Sequence, residues 1–208
     1  MYAVEDEPLL AARANAEDVG GTEPVAPATG AVLRFLATAI GAKSVVEIGT
    51  GCGSSGIWLL RGMRPGGVLT SVDTEPEYHR MARKAFGQAG FASNQARLIL
   101  GRAIDVLPRL SDGAYDMVFC DADQASYPEY LSAALRLLRS GGIVVFDDVP
   151  SAAPPGSSDA YGAGAAGRTT AASSAAGTRE LVAMVRTDDR IVPLGLPVAG
   201  GLLAAIKH

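Results

Sequence analysis

Apolar residues fall into two kinds of run along this chain. Val32, Leu33, Leu36, Ala39 and Ile40 recur at helical spacing, and Gly41 follows as a cap. The next residues, SVVEI, form a short apolar run of the kind that fills a strand buried on both faces. The alternation then continues with a helix over 54–63, the strand VLTSV, a helix over 76–89, ARLIL, a helix over 103–110, YDMVF, a helix over 127–139 and GIVVF. Strands alternating with helices in this way predict a parallel sheet with helices on both faces. Near the end, RIVPLG and GLLAAIK are separated by only about six residues, whereas a parallel crossover takes a dozen or more. The last strand is therefore expected to be antiparallel. The fold class is α/β: a seven-stranded, mostly parallel sheet with a C-terminal antiparallel hairpin.

With 208 residues, 48% of them apolar, the chain can bury one continuous core. It reads as a single domain over 1–208, made of an N-terminal helical segment (1–41), a ligand-binding core (42–150), an insert (151–177), and a final helix and hairpin (178–208). The insert is a low-complexity stretch of Ala, Gly, Ser and Pro with almost no large apolar side chain, so it is expected to be mobile. It serves either as a surface linker or as a substrate lid, because it leaves a strand end where ligands bind in such sheets. The net charge of −4 and the scattered basic residues argue against nucleic acid or an anionic membrane as partner. MYAVEDEPLL carries acids where a secretory leader carries bases, and no apolar run approaches bilayer length, so a cytoplasmic location is expected. Cys52 and Cys120 lack metal-site spacing and are expected as small buried side chains in a reducing compartment.

The chemistry begins at VVEIGTGCGSSGIWLL, where a β-branched strand passes through Gly49, Gly51, Gly53 and Gly56 into a helix. Backbone amides at such a helix start can approach a ligand closely. Gly51, Gly53 and Gly56 satisfy G-x-G-x-x-G, the dinucleotide pattern, and Asp73 closes the second strand where a carboxylate can accept from both ribose hydroxyls. NAD and S-adenosylmethionine share these needs. Three features favour S-adenosylmethionine: Glu47 inside the turn could meet a cationic amino group, the closing hairpin fits a dinucleotide domain poorly, and little chain remains for a second substrate domain. The bland alternative is a tight glycine turn with Asp73 capping the next helix.

VVEIGTGCGSSG, VLTSVD, GRAIDVLP, YDMVFCDAD and GGIVVFDD, in that order, resemble the caffeoyl-CoA and catechol O-methyltransferase family of S-adenosylmethionine-dependent enzymes. The similarity covers about residues 20–150 and resumes over the final helix and hairpin. It implies the family's Rossmann-like fold and a cofactor site built from Val25, Glu47, Gly49, Thr50, Ser55, Asp73, Ala103 and Asp123. In that family the acid matching Asp73 holds the ribose and the amide matching Ala103 meets the adenine. The acids matching Glu47 and Asp123 lie toward the methionine end. A small phenolic or catechol-like methyl acceptor and a homodimer are expected.

Asp121 closes the fourth strand and Asp147 with Asp148 closes the fifth, which brings three carboxylates to one rim of the inferred sheet. An all-oxygen set suits a hard divalent cation such as Mg²⁺, with Asp121 also catalytic. The alternative is that one or more of these acids caps a helix or faces solvent. The resembling family has Asp, Asp and Asn here, so Asp148 is a departure. Many metal-dependent members also carry a lysine base where this chain has Gln124, and an amide cannot take the proton. His79 is expected on a solvated helix face and His208 at a frayed end, leaving no histidine for a Ser-His-Asp hydrolase. An NAD-dependent oxidoreductase and a non-catalytic cofactor-binding protein remain the alternatives.

Overall fold

A computed structural model describes residues 3–150 and 168–208. The chain opens with α1 (Glu7–Val19) and α2 (Pro27–Ala39), followed by β1 (Ser44–Ile48), α3 (Ser54–Gly62), β2 (Val68–Asp73), α4 (Pro76–Gln88) and β3 (Ala96–Leu100). It continues with α5 (Ala103–Val106), β4 (Tyr115–Cys120), α6 (Tyr127–Leu137), β5 (Leu138–Phe146), α7 (Arg168–Thr187), β6 (Ile191–Leu196) and β7 (Leu202–Lys207). Helices α1, α2, α4 and α6 each carry a proline in the first turn, where its missing N–H has no intrahelical partner to lose.

The seven strands lie in the order β3-β2-β1-β4-β5-β7-β6. The first five are mutually parallel, and β7 runs antiparallel to both β5 and β6, so the one reversed strand is the expected one. Alternate residues of each strand feed opposite cores. Val45, Met117, Phe119, Ile143 and Val145 pack with Leu33, Ala37, Ile57 and Leu59 on one side. Val46, Val118, Cys120, Val144 and Phe146 pack with Leu131, Leu135 and Leu181 on the other. Burial on both faces explains why these strands read as unbroken apolar runs. A fully buried side chain such as Phe119 contributes roughly 1.5–3 kcal/mol.

Three local expectations change. The helix expected over 103–110 is α5 followed by a 3₁₀ turn, Leu107–Arg109, because Pro108 has no N–H for an α-helical bond. The final helix begins at Arg168 rather than 178, taking in an alanine-rich stretch that favours helix. The rest of the expected insert, 151–167, lies outside the described residues. His79 is buried, not solvated, with its Nε2 unpaired, and burial lowers its pKa. Cys52 and Cys120 are both buried, as expected. No helix among the described residues is long and apolar enough to cross a membrane.

Candidate active site

Strand order reverses between β1 and β4, and their C-terminal ends open the crevice where ligands bind in doubly wound sheets. The glycine turn leaves β1 there. Gly49 has φ +98°, and a Cβ on it would stand 2.0 Å from the Asp121 carbonyl oxygen, so only glycine lets the two strand ends come this close. Gly53, also at positive φ, delivers the chain into α3.

A cavity of about 440 Å³ fills the crevice. Val25, Gly49, Thr50, Ser55, Asp73, Ala103, Asp121 and Asp123 all line it, so eight of the residues expected at the site stand on one wall system. Asp73 does two jobs. Its Oδ2 accepts from the Thr50 and Gly51 amides at 2.8 and 3.0 Å and its Oδ1 from the Glu75 amide at 3.1 Å, which fixes the turn. Oδ2 is thereby filled, and Oδ1 keeps lone-pair capacity for a ribose hydroxyl. Asp73 thus fixes the turn rather than capping α4, whose N-cap is Glu75, and that role is compatible with holding a ligand. Asp123 is similarly engaged, accepting from the Ala125 amide and the Ser126 hydroxyl.

Glu47 is not a wall residue. It is fully buried beneath the cavity, where Ser55 donates to Oε1 at 2.6 Å and Ser71 donates to Oε2 at 2.5 Å. Since Ser71 spends its proton on Glu47, Thr50 donates to Ser71 at 2.7 Å. Glu47, expected to meet a cationic amino group, stands in a hydroxyl network that ties β1, β2 and the glycine turn together. Burial pushes the Glu47 carboxyl from 4.5 up to about 7, against the two hydroxyl donors. Ionising it costs folding free energy, so its contribution is fully favourable below about pH 4.5 and is lost as pH rises through 7. Glu47→Gln removes the charge and keeps an acceptor for Ser55, while its amide nitrogen donates to Ser71, whose hydroxyl can then donate to Thr50. It is expected to raise Tm at pH 8 by the equivalent of roughly 1–3 kcal/mol and to change it little at pH 5, read by thermal unfolding. An equal loss at both pH values would show that the ionised form is the stabilising one.

Among the described residues none of the rim acids Asp121, Asp147 and Asp148 forms an ion pair. Burial raises Asp121 well above its ordinary range, with Asp147, Asp148, Glu47 and Glu23 adding to the effect. Burial likewise raises Asp147 to about 6. Asp147 Oδ1 accepts from the Asp148 amide at 3.0 Å, and the Tyr127 hydroxyl donates to the Asp147 carbonyl at 3.0 Å. Asp148 sits at φ +50°, its Oδ1 over Gly200 in the β6–β7 turn. Among the described residues no three His, Cys, Asp or Glu groups are gathered in a metal-ligating cluster. The oxygen donors suit a hard cation by chemistry, while their present arrangement has Asp148 turned toward the hairpin.

Several residues at the site were not anticipated. Ser54 is buried and lines the cavity, and among the described residues its hydroxyl has no partner. Ser71 is a polar residue inside an otherwise buried strand, a signal the sequence did carry. Glu23, Tyr78, Arg102, Ser126 and Tyr130 complete the walls. The segment between α1 and α2 crosses the cavity. It is held by the Tyr78 hydroxyl donating to the Gly20 carbonyl and by Arg13 donating to the Val25 carbonyl, each at 3.0 Å.

Comparison with known proteins bears on this geometry. The sequence profile of the O-methyltransferase family matches residues 9–208. A protein of Mycolicibacterium smegmatis named as an O-methyltransferase is 44% identical over 203 residues, covering 98% of this chain and 91% of its own. A similarly named protein of Mycobacterium tuberculosis is 45% identical over 206 residues, with 98% and 86% covered. Among solved structures, the O-methyltransferase TomG of Streptomyces achromogenes, crystallised with S-adenosylmethionine, superposes with a TM-score of 0.84 at 28% identity. That match covers 100% of this chain and 92% of the other. The two readings of the glycine pattern are thereby separated, and the chain belongs to the O-methyltransferase family.

Proposed function

We propose that this enzyme transfers the sulfonium methyl of S-adenosylmethionine to the oxygen of a small phenolic or catechol-like hydroxyl, assisted by a divalent cation at Asp121, Asp147 and Asp148. The observation that carries this reading is the single cavity joining the glycine turn and Asp73 at one end to Asp121 at the other. The unpaired buried Ser54 hydroxyl on its wall supports an occupant at the turn, and Tyr130, a buried aromatic lining residue, supports a ring-bearing acceptor beside Asp123 and Ser126.

In this reading Asp73 holds the ribose, the Ala103 amide meets the adenine, and Thr50, Ser55 and Val25 wall the methionine end. The protein's contribution is mostly positioning: acceptor oxygen and donor carbon are held near contact, in line with the sulfur. When bound, the cation would lower the pKa of a coordinated hydroxyl and stabilise the phenoxide. Gln124 can orient a group by hydrogen bonding but takes no proton. Val192, Leu194 and Ile206, exposed on one face at the β6 edge, support a homodimer, measurable by light scattering.

Parallel calorimetry with S-adenosylmethionine and NAD, followed by a methylation screen of phenols with and without Mg²⁺, tests the proposal. Binding of S-adenosylmethionine but not NAD, with methyl transfer to a phenol, is the expected result. Binding without turnover of any phenol would move the acceptor to another class.

A further inference from the structure

The acceptor end of the cavity is acidic and lacks a basic side chain. Glu23 and Asp121 line it, and Asp147 and Asp148 stand beside it at the end of β5. None of Glu23, Asp121, Asp147 and Asp148 forms an ion pair among the described residues. Among the described residues the sole cationic lining residue is Arg102, which adjoins Gly101 and Ala103 beyond β3, across the turn from Asp121. Gln124 is neutral.

A divalent cation does not neutralise this end. Three carboxylates, Asp121, Asp147 and Asp148, against two positive charges leave one negative charge, and Glu23 adds a second. Glu23 is carried on the segment pinned by Tyr78 and Arg13, whose Thr22 side chain also lies against Gly51. Its backbone is thus fixed at the rim of the cavity that Asp121 also lines.

We propose that this enzyme selects neutral or cationic phenols over phenols carrying a carboxylate or phosphate, with Glu23 as a specificity-determining residue at the cavity rim. The inference rests on the phenolic reading above. An anionic acceptor would meet uncompensated like charge on entry and in the bound state, whereas an ammonium group would be attracted. Because Glu23 is exposed, its effect is screened over a Debye length of about 8 Å at physiological salt, so the selectivity must itself depend on salt.

The test uses the full chain with S-adenosylmethionine and Mg²⁺ and three acceptors sharing one catechol ring: 3,4-dihydroxyphenylethylamine, 3,4-dihydroxyphenylethanol and 3,4-dihydroxyphenylacetate. At about 20 mM salt, kcat/KM for the amine and the alcohol is expected to exceed that for the acid by at least about tenfold, chiefly through KM, and the ratio should shrink at about 500 mM salt. Glu23→Gln should compress the amine-to-acid ratio by about three- to fivefold and Glu23→Lys further, with circular dichroism confirming that both fold. Equal kcat/KM across the series, or a ratio unmoved in Glu23→Lys, would overturn the charge selection while leaving the phenolic reading in place. Failure to methylate any of the three would remove the phenolic reading and this inference with it.

Discussion

Asp73→Ala is expected to bind S-adenosylmethionine about ten- to a hundredfold more weakly than the parent chain, the largest single-residue loss of cofactor affinity at this site. Two losses coincide. A ribose hydroxyl would give up a charged acceptor, worth roughly 1.5–3 kcal/mol. The Thr50, Gly51 and Glu75 amides would also lose the carboxylate that fixes the glycine turn. Asp73→Asn separates them, because an amide oxygen can still accept from the turn but brings no negative charge to the ribose. Calorimetry should place Asn between Asp and Ala, and Tm should fall more in the Ala variant than in the Asn variant. Unchanged affinity in Asp73→Ala, with Tm lowered, would confine Asp73 to the turn.

Much of this was legible from the chain alone, for identifiable reasons. Strands buried on both faces leave continuous apolar runs, and the short link between RIVPLG and GLLAAIK allows no parallel crossover, so the sheet and its reversed strand followed from pattern. The wall residues Gly49, Thr50, Asp73 and Asp121 follow strand ends, and strand ends in such a sheet converge at the reversal of order. Burial is less legible. His79 sits among Arg80, Arg83 and Lys84 in sequence, yet it faces inward where α4 packs, because one turn of helix separates faces that adjoin in sequence. Glu47 looks like a ligand contact from its place in the turn. Only the fold reveals that Ser71, from the neighbouring strand, closes off its second oxygen. Glu23 was invisible for the same reason, since nothing in its local sequence says that the segment between α1 and α2 folds back across the end of β4.

Chelation is expected to abolish methyl transfer, and Asp147→Ala to cost about a hundredfold or more in kcat/KM, whereas Gln124→Ala should cost less than about threefold. The asymmetry follows from what each group can do. A carboxylate can hold a cation that stabilises the phenoxide directly, while glutamine only donates or accepts a hydrogen bond. In the proposed mechanism, with glutamine at position 124, loss of the hydroxyl proton depends on the cation and on the substrate's own acidity. The rate should therefore rise with pH and, across a series of substituted catechols, with falling phenol pKa. Placing a base by Gln124→Lys should flatten that dependence and move the rising limb of the pH profile downward. Asp148, which leans over Gly200, has to turn toward Asp121 to complete the oxygen set, so Asp148→Asn should retain more activity than Asp147→Ala and raise the concentration of Mg²⁺ needed for half-maximal rate. Full turnover in excess chelator, with no metal found in the purified protein by elemental analysis, would remove the cation. The three acids would then stand as the determinants of acceptor charge alone, a role that the salt dependence of the amine-to-acid ratio would still report.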